Sequence, residues 1–130
     1  MTEDERLQPQ TWGRKFRCAF RGVKRGFRGE CSFFVHGFMT VAVVMAALAL
    51  GAERYEWYAL LLCITLVLVA EMFNSSIERL ARAVSEQFHP QLRDALDIAG
   101  GAVLTASCGA AIVGTLVLGR LALHMLGAGR

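Results

Sequence analysis

At 130 residues, 55% of them hydrophobic and with a mean hydropathy of +0.42, the chain is too apolar for an ordinary soluble domain. The net charge of +3 is modest and no nucleic-acid recognition module is visible, so the basic residues suit lipid head groups or phosphates better. An all-α membrane protein of a single domain, spanning residues 1–130, is the class these numbers leave.

Residues 1–10 are polar and acidic; they predict a flexible tail and show no cleavable signal peptide. Residues 11–29 space Trp12, Phe16, Phe20, Val23 and Phe27 by three or four, with Arg14, Arg17, Arg21, Lys24, Arg25 and Arg28 on the other faces. That pattern predicts a basic amphipathic helix lying in the membrane interface, ended by Glu30. A first transmembrane helix is predicted over 33–52, interrupted only by His36. A short outer loop, Gly51 to Glu56, then makes an antiparallel hairpin with a second span over 57–77. Residues 79–97 read as an amphipathic cytoplasmic connection bent at Pro90, with Asp94 or Asp97 able to start the last helix. The third span, 98–119, carries no charge and is rich in Gly, Ala and Ser, a surface that lets membrane helices pack closely. Three spans bury little surface alone, so oligomerisation is expected.

Orientation follows from Lys and Arg. Eleven lie before the first span or between the second and third, and three lie in the outer loop or after the third span. The positive-inside rule then places the N-terminus in the cytoplasm and the C-terminus outside. Cys18, Cys31, Cys63 and Cys108 show no ligand spacing and read as free thiols.

The second span carries the chemistry. Its apolar run, Trp57 to Ala70, covers only ~21 Å at ~1.5 Å per residue, short of a ~30 Å hydrocarbon core. The helix must continue, which draws Glu71 into the membrane, where an ionisable group is a functional-site candidate. Asn74 and Glu78 fall within about 60° of Glu71 at ~100° per residue, so the three share a face. Taken singly, each has a plainer reading: Glu71 as a hydrogen-bonded packing group, Asn74 as interhelical glue, Glu30 and Glu78 as solvated charges. Together they suit attack by a lipid hydroxyl on a nucleotide phosphate. Glu71 has the depth of a base for such a hydroxyl. Glu30 and Glu78 can supply oxygen ligands to Mg2+, which is usually held by one or two carboxylates plus phosphate oxygens. Phosphoryl transfer then needs mainly positioning and charge stabilisation. No Walker A loop and no protein-kinase motif occurs, so the ATP site is of another kind. His36 faces either this site or a neighbouring helix, and no Ser-His-Asp arrangement is apparent.

Glu71-x-x-Asn74-Ser75-Ser76-Ile77-Glu78, followed by Asp97-Ile98-Ala99-Gly100-Gly101-Ala102-Val103-Leu104, resembles the small prokaryotic integral-membrane diacylglycerol kinases, which include the undecaprenol kinases. The resemblance runs roughly from Arg14 to Leu118. It implies a homotrimer of three-span chains with an N-terminal surface helix and active sites shared between protomers. The implied reaction moves the γ-phosphate of MgATP to a lipid hydroxyl in the bacterial inner membrane. The resemblance puts the catalytic base, beside the lipid substrate, on Glu71, the site asparagine on Asn74 and the metal ligands on Glu30 and Glu78. It assigns nucleotide contacts to those two glutamates and to Gln87, Phe88, His89 and Asp97. Phe20-Arg21-Gly22 resembles the aromatic-basic-Gly step of the surface helix. Two positions depart from the pattern: Leu96 stands where the family usually has Lys, and Arg82 where an acidic residue is common. His36 and His89-Pro90 look more like the undecaprenol kinase branch. Two other readings stay open: a small proton or ion transporter subunit using Glu71, and an inactive relative acting as an interaction partner.

Overall fold

The computed structural model describes residues 11–26, 31–84 and 89–128, all helical except short connections. Four helices follow in order: α1 Trp12–Gly26, α2 Cys31–Ala49, α3 Arg54–Val84 and α4 Pro90–Ala128. They form two units, one holding α1 and the other α2 to α4.

Helix α1 is amphipathic, as its spacing predicts. The Thr11 carbonyl accepts the amides of Arg14 and Lys15 at 2.9 and 3.1 Å, which starts the helix. Trp12, Phe16 and Phe20 are all largely exposed, so this unit does not cover its own apolar face. The Lys15 ammonium sits 5.0 Å from the Trp12 ring centroid, a cation–π contact that joins the two faces at their edge. Phe27 and Glu30 lie outside the described residues.

In the second unit, α3 and α4 pack along most of their length and α2 leans on both. Helix α2 ends in a Schellman turn. Gly51 adopts φ +69°, the Ala52 amide donates to Ala47 at 2.9 Å, and the Gly51 amide donates to Leu48 at 3.3 Å. Helix α3 starts at once, because Glu56 Oε2 accepts the Glu53 amide at 2.8 Å and satisfies an end group of the new helix. Tyr55 and Tyr58 meet edge to face with centroids 6.3 Å apart in the first turns of α3.

The helices differ from their predicted bounds. Helix α2 covers 31–49 rather than 33–52, since the left-handed Gly51 stops it. Helix α3 runs seven residues past 77, to Val84, and α4 begins at Pro90 rather than 98 and reaches Ala128. Hydropathy marks where a helix leaves the membrane, not where its backbone bonding stops, and Glu78 to Val84 are mostly good helix formers. Pro90 occupies the first turn, where its missing amide costs nothing. The His89 carbonyl accepts the amides of Leu92 and Arg93, both at 3.1 Å, so neither Asp94 nor Asp97 starts the helix. Among the described residues, α3 and the Pro90–Gly127 stretch of α4 are long and apolar enough to cross a membrane; the apolar part of α2, Phe34–Ala49, is shorter.

The core is thin. Ala47, Leu60, Val67, Ala81, Ala99 and Leu121 are its buried apolar members, and Glu71 and Ser75 are buried among them. Four glycines of α4 are not used for close packing within the chain: a Cβ at Gly100, Gly101, Gly109 or Gly114 would meet nothing within 4 Å.

Candidate active site

Glu71 lies on the stripe of α3 that faces its neighbours, with Leu60, Val67, Ser75 and Ala81. Those positions recur at helical spacing, and Glu71 is the charged member. Its side chain is 1% exposed, and Oε1 lies 2.8 Å from Nε2 of His36 on α2. An ionised carboxylate only accepts hydrogen bonds, so the imidazole nitrogen is the donor. The distance is that of a charge-assisted bond.

One turn on, Asn74 Nδ2 donates to Glu78 Oε1 at 2.8 Å, with both side chains half-buried. This is an i,i+4 contact, so the helix itself brings the two together. The amide orients the carboxylate and leaves Oε2 toward Arg82, whose Nη1 is 3.9 Å away. Glu78 is one-third exposed, at 33%, so its oxygens can be reached from outside the helix packing. Glu71, Asn74 and Glu78 thus lie along one side of α3, with Glu71 turned to α2 and the Asn74–Glu78 pair nearer the C-terminal end of the helix.

Beside His36, on the side away from Glu78, the three helices line a half-open cavity of about 300 Å³. Its wall includes His36, Thr40, Leu60, Val67, Ser107 and Ala110 and is almost wholly apolar. Thr40, Thr65, Ser76 and Thr105 each donate to a carbonyl four residues earlier at 2.8 Å, which removes the cost of a hydroxyl in apolar surroundings.

The remaining predicted site residues lie apart. Asp97 is 74% exposed on the outer side of α4, where its carboxylate stands 3.9 Å from Arg93. Leu96, ~100° round the helix from Asp97, is half-buried on the inward-facing stripe of α4 with Leu92 and Ala99. His89 is exposed and serves α4 through its carbonyl. Glu30, Gln87 and Phe88 lie outside the described residues. Cys18, Cys63 and Cys108 are free thiols.

Sequence reasoning left open whether His36 faces this site or a neighbouring helix. No spacing rule links residues 36 and 71, which sit on different helices; the only signal was that each lies at the end of an apolar run that borders a basic segment.

The arrangement pairs a buried carboxylate with a donor from a second helix, next to an oriented, reachable carboxylate. Known proteins with matching sequence bear on what it is. The profile of the prokaryotic diacylglycerol kinases matches residues 17–118. A diacylglycerol kinase of Synechocystis is 36% identical over 104 residues, 79% of this chain and 59% of that protein. The chain therefore spans under two-thirds of that relative's length. An undecaprenol kinase of Bacillus subtilis is 27% identical over 116 residues, 89% of this chain and 94% of that protein. A diacylglycerol kinase of Helicobacter pylori is 32% identical over 106 residues, 80% of each chain. The profile match takes in Glu71, Asn74, Glu78 and Asp97 within one continuous stretch, and on it the chain belongs to the prokaryotic diacylglycerol kinase family.

Proposed function

We propose that this chain is a lipid kinase of the bacterial inner membrane that transfers the γ-phosphate of ATP to a lipid hydroxyl, converting diacylglycerol to phosphatidic acid. The observation that carries the reading is Glu71: a carboxylate 1% exposed, held at 2.8 Å by His36. In this reaction the Glu71 carboxylate takes the proton of the hydroxyl. The hydroxyl oxygen forms a bond to the γ-phosphorus while the bond from that phosphorus to the bridging oxygen breaks, and ADP leaves. Proton removal by a positioned side chain contributes typically ~10²–10⁴-fold.

Glu78 is the described residue that fits Mg2+. It offers a hard, one-third exposed carboxylate oriented by Asn74, and Mg2+ takes most of its ligands from phosphates and water. Glu30 is the second carboxylate proposed for it. The ion, when bound, neutralises charge building on the transferred phosphoryl group. Asn74 holds Glu78 in place. Gln87, Phe88, His89 and Asp97 are proposed around the nucleotide, near the cytoplasmic end of α4.

The architecture proposed is three transmembrane helices, α2, α3 and α4, with α1 on the cytoplasmic surface. Helix α2 runs 19 residues, ~28 Å at ~1.5 Å each, of which the apolar part is Phe34–Ala49, so its crossing is proposed from the helix length together with the spans of α3 and α4. A homotrimer is proposed as the working form. The open glycine positions of α4 support contact with another copy.

Undecaprenol is the second substrate reading. It is favoured by the match along 94% of the Bacillus subtilis undecaprenol kinase. Purified protein given MgATP and a panel of diacylglycerol, undecaprenol and other lipid alcohols, with labelled products resolved, tests both. Phosphatidic acid is expected as the main product. Undecaprenyl phosphate alone would move the assignment to the second reading. No labelled lipid under any condition, or ion flux across liposomes instead, would overturn the kinase reading.

A further inference from the structure

We propose that His36 is a positioning residue for Glu71: it donates a hydrogen bond from α2 that keeps the carboxylate aimed at the incoming hydroxyl. The proposal rests on the lipid-kinase reading and adds a group that reading does not use.

The geometry is specific. His36 Nε2 and Glu71 Oε1 are 2.8 Å apart, with side-chain exposures of 21% and 1%. A carboxylate so enclosed can turn about its own side-chain bonds, and a 2.8 Å bond from a second helix fixes which way its oxygens point. The His36 bond therefore bears on direction. The ring donates in either of its own protonation states, because Nε2 must carry the hydrogen when it faces an accept-only group. His36 takes no proton in the reaction. The hydroxyl's proton goes to Glu71, and the imidazole keeps its own.

The placement also matters. Glu71, Asn74 and Glu78 all come from α3, whereas His36 comes from α2, the helix that leans more lightly on the others. The bond ties the two helices together at the level of the reaction. On its other side the ring lines the cavity with Val35, Met39, Thr40 and Leu60. In that surrounding a leucine would pack at least as well as an imidazole, so packing alone gives no reason for histidine. The backbone of α2 does not depend on the ring either, since the His36 carbonyl is served by Thr40 Oγ1 at 2.8 Å.

Two variants separate positioning from packing. His36→Leu keeps bulk and removes the donor. His36→Gln carries an amide NH2 that reaches the place of Nε2. With full-length protein in lipid-containing micelles, His36→Leu is expected to lower kcat roughly 10- to 150-fold, the span of a lost bond to a charged group, with KM for lipid and ATP little changed. His36→Gln is expected to recover most of that loss. In a Glu71→Gln background, His36→Leu should lower the residual rate no further, because the carboxylate it serves is gone. Equal turnover in His36→Leu and His36→Gln would overturn the role.

Nitrogen-15 NMR of histidine-labelled protein reads the contact without turnover. The Nε2 proton of His36 is expected to exchange with water more slowly than those of His89 and His124, which are exposed. Equally fast exchange in all three would also overturn the proposal. A parent protein with a protected His36 proton but no lipid phosphorylation would sink the kinase reading and the positioning role together. An active parent with a fully active His36→Leu variant would sink the positioning role alone.

Discussion

Glu71→Gln separates the carboxylate's chemistry from its place in the fold. The variant has the same shape, and Glu71 is 1% exposed, so no rearrangement is needed to seat it. The Gln carbonyl still accepts from His36 Nε2, now as a neutral rather than a charge-assisted bond, a loss of about 1 kcal/mol. Removing a buried charge offsets part of that loss. Stability should therefore stay within about 1 kcal/mol of the parent, readable as a small shift in the thermal midpoint in detergent. Turnover should fall ~10²–10⁴-fold, because an amide cannot take the hydroxyl's proton. Nucleotide affinity should be nearly unchanged, since the loss belongs to the transition state. The assay is transfer of labelled phosphate from ATP to diacylglycerol in mixed micelles, with ATP binding measured separately. A variant that folds like the parent and turns over within tenfold of it would refute the assignment of Glu71 as base.

Four further outcomes are expected. Glu78→Gln should weaken activity and raise the magnesium needed for half-maximal rate, and Asn74→Ala should do so to a smaller extent by releasing the 2.8 Å bond that orients Glu78; unchanged magnesium titrations in both would remove the metal assignment. Leu96→Lys should tighten MgATP about tenfold by meeting phosphate charge from the inward stripe of α4, while Arg93→Ala, on the exposed side, should change little; the reverse ranking would make Arg93 the phosphate contact, and no effect from either would move the nucleotide away from residues 93–97. Gly51→Ala should cost roughly 1–2 kcal/mol of stability through backbone strain alone, because φ is +69° and no atom lies within 4 Å of a Cβ there; an unchanged melting midpoint would mean the turn relaxes. Single-cysteine labels at residues 3 and 129 should react from the cytoplasmic and the external side respectively, as the Lys and Arg distribution requires, and both on one side would overturn three crossings.

The residues themselves determined what depends on neighbours within one helix. The i,i+4 relation of Asn74 and Glu78 is a property of helical geometry, and it returns as a 2.8 Å hydrogen bond. The aromatic and basic spacing of residues 12–23 likewise produced an amphipathic α1. The family followed from motif residues that lie on the chain in order. Helix ends were less legible. Apolar runs stop where the membrane stops, but α3 continues to Val84 and α4 starts at Pro90, because backbone bonding persists through polar residues that favour helix. Tertiary packing alone decided which way the shared face of α3 points. Rotating α3 by one residue would swing Glu71 by ~100° away from α2, and nothing in the order of residues sets that rotation. The fit of Leu60 and Val67 against the other helices sets it, and it brings His36 to Glu71 across 35 residues of sequence. The same packing turns Leu96 inward and Arg93 and Asp97 outward on α4, since side chains three and four residues apart choose a face only when a neighbouring helix covers one of them.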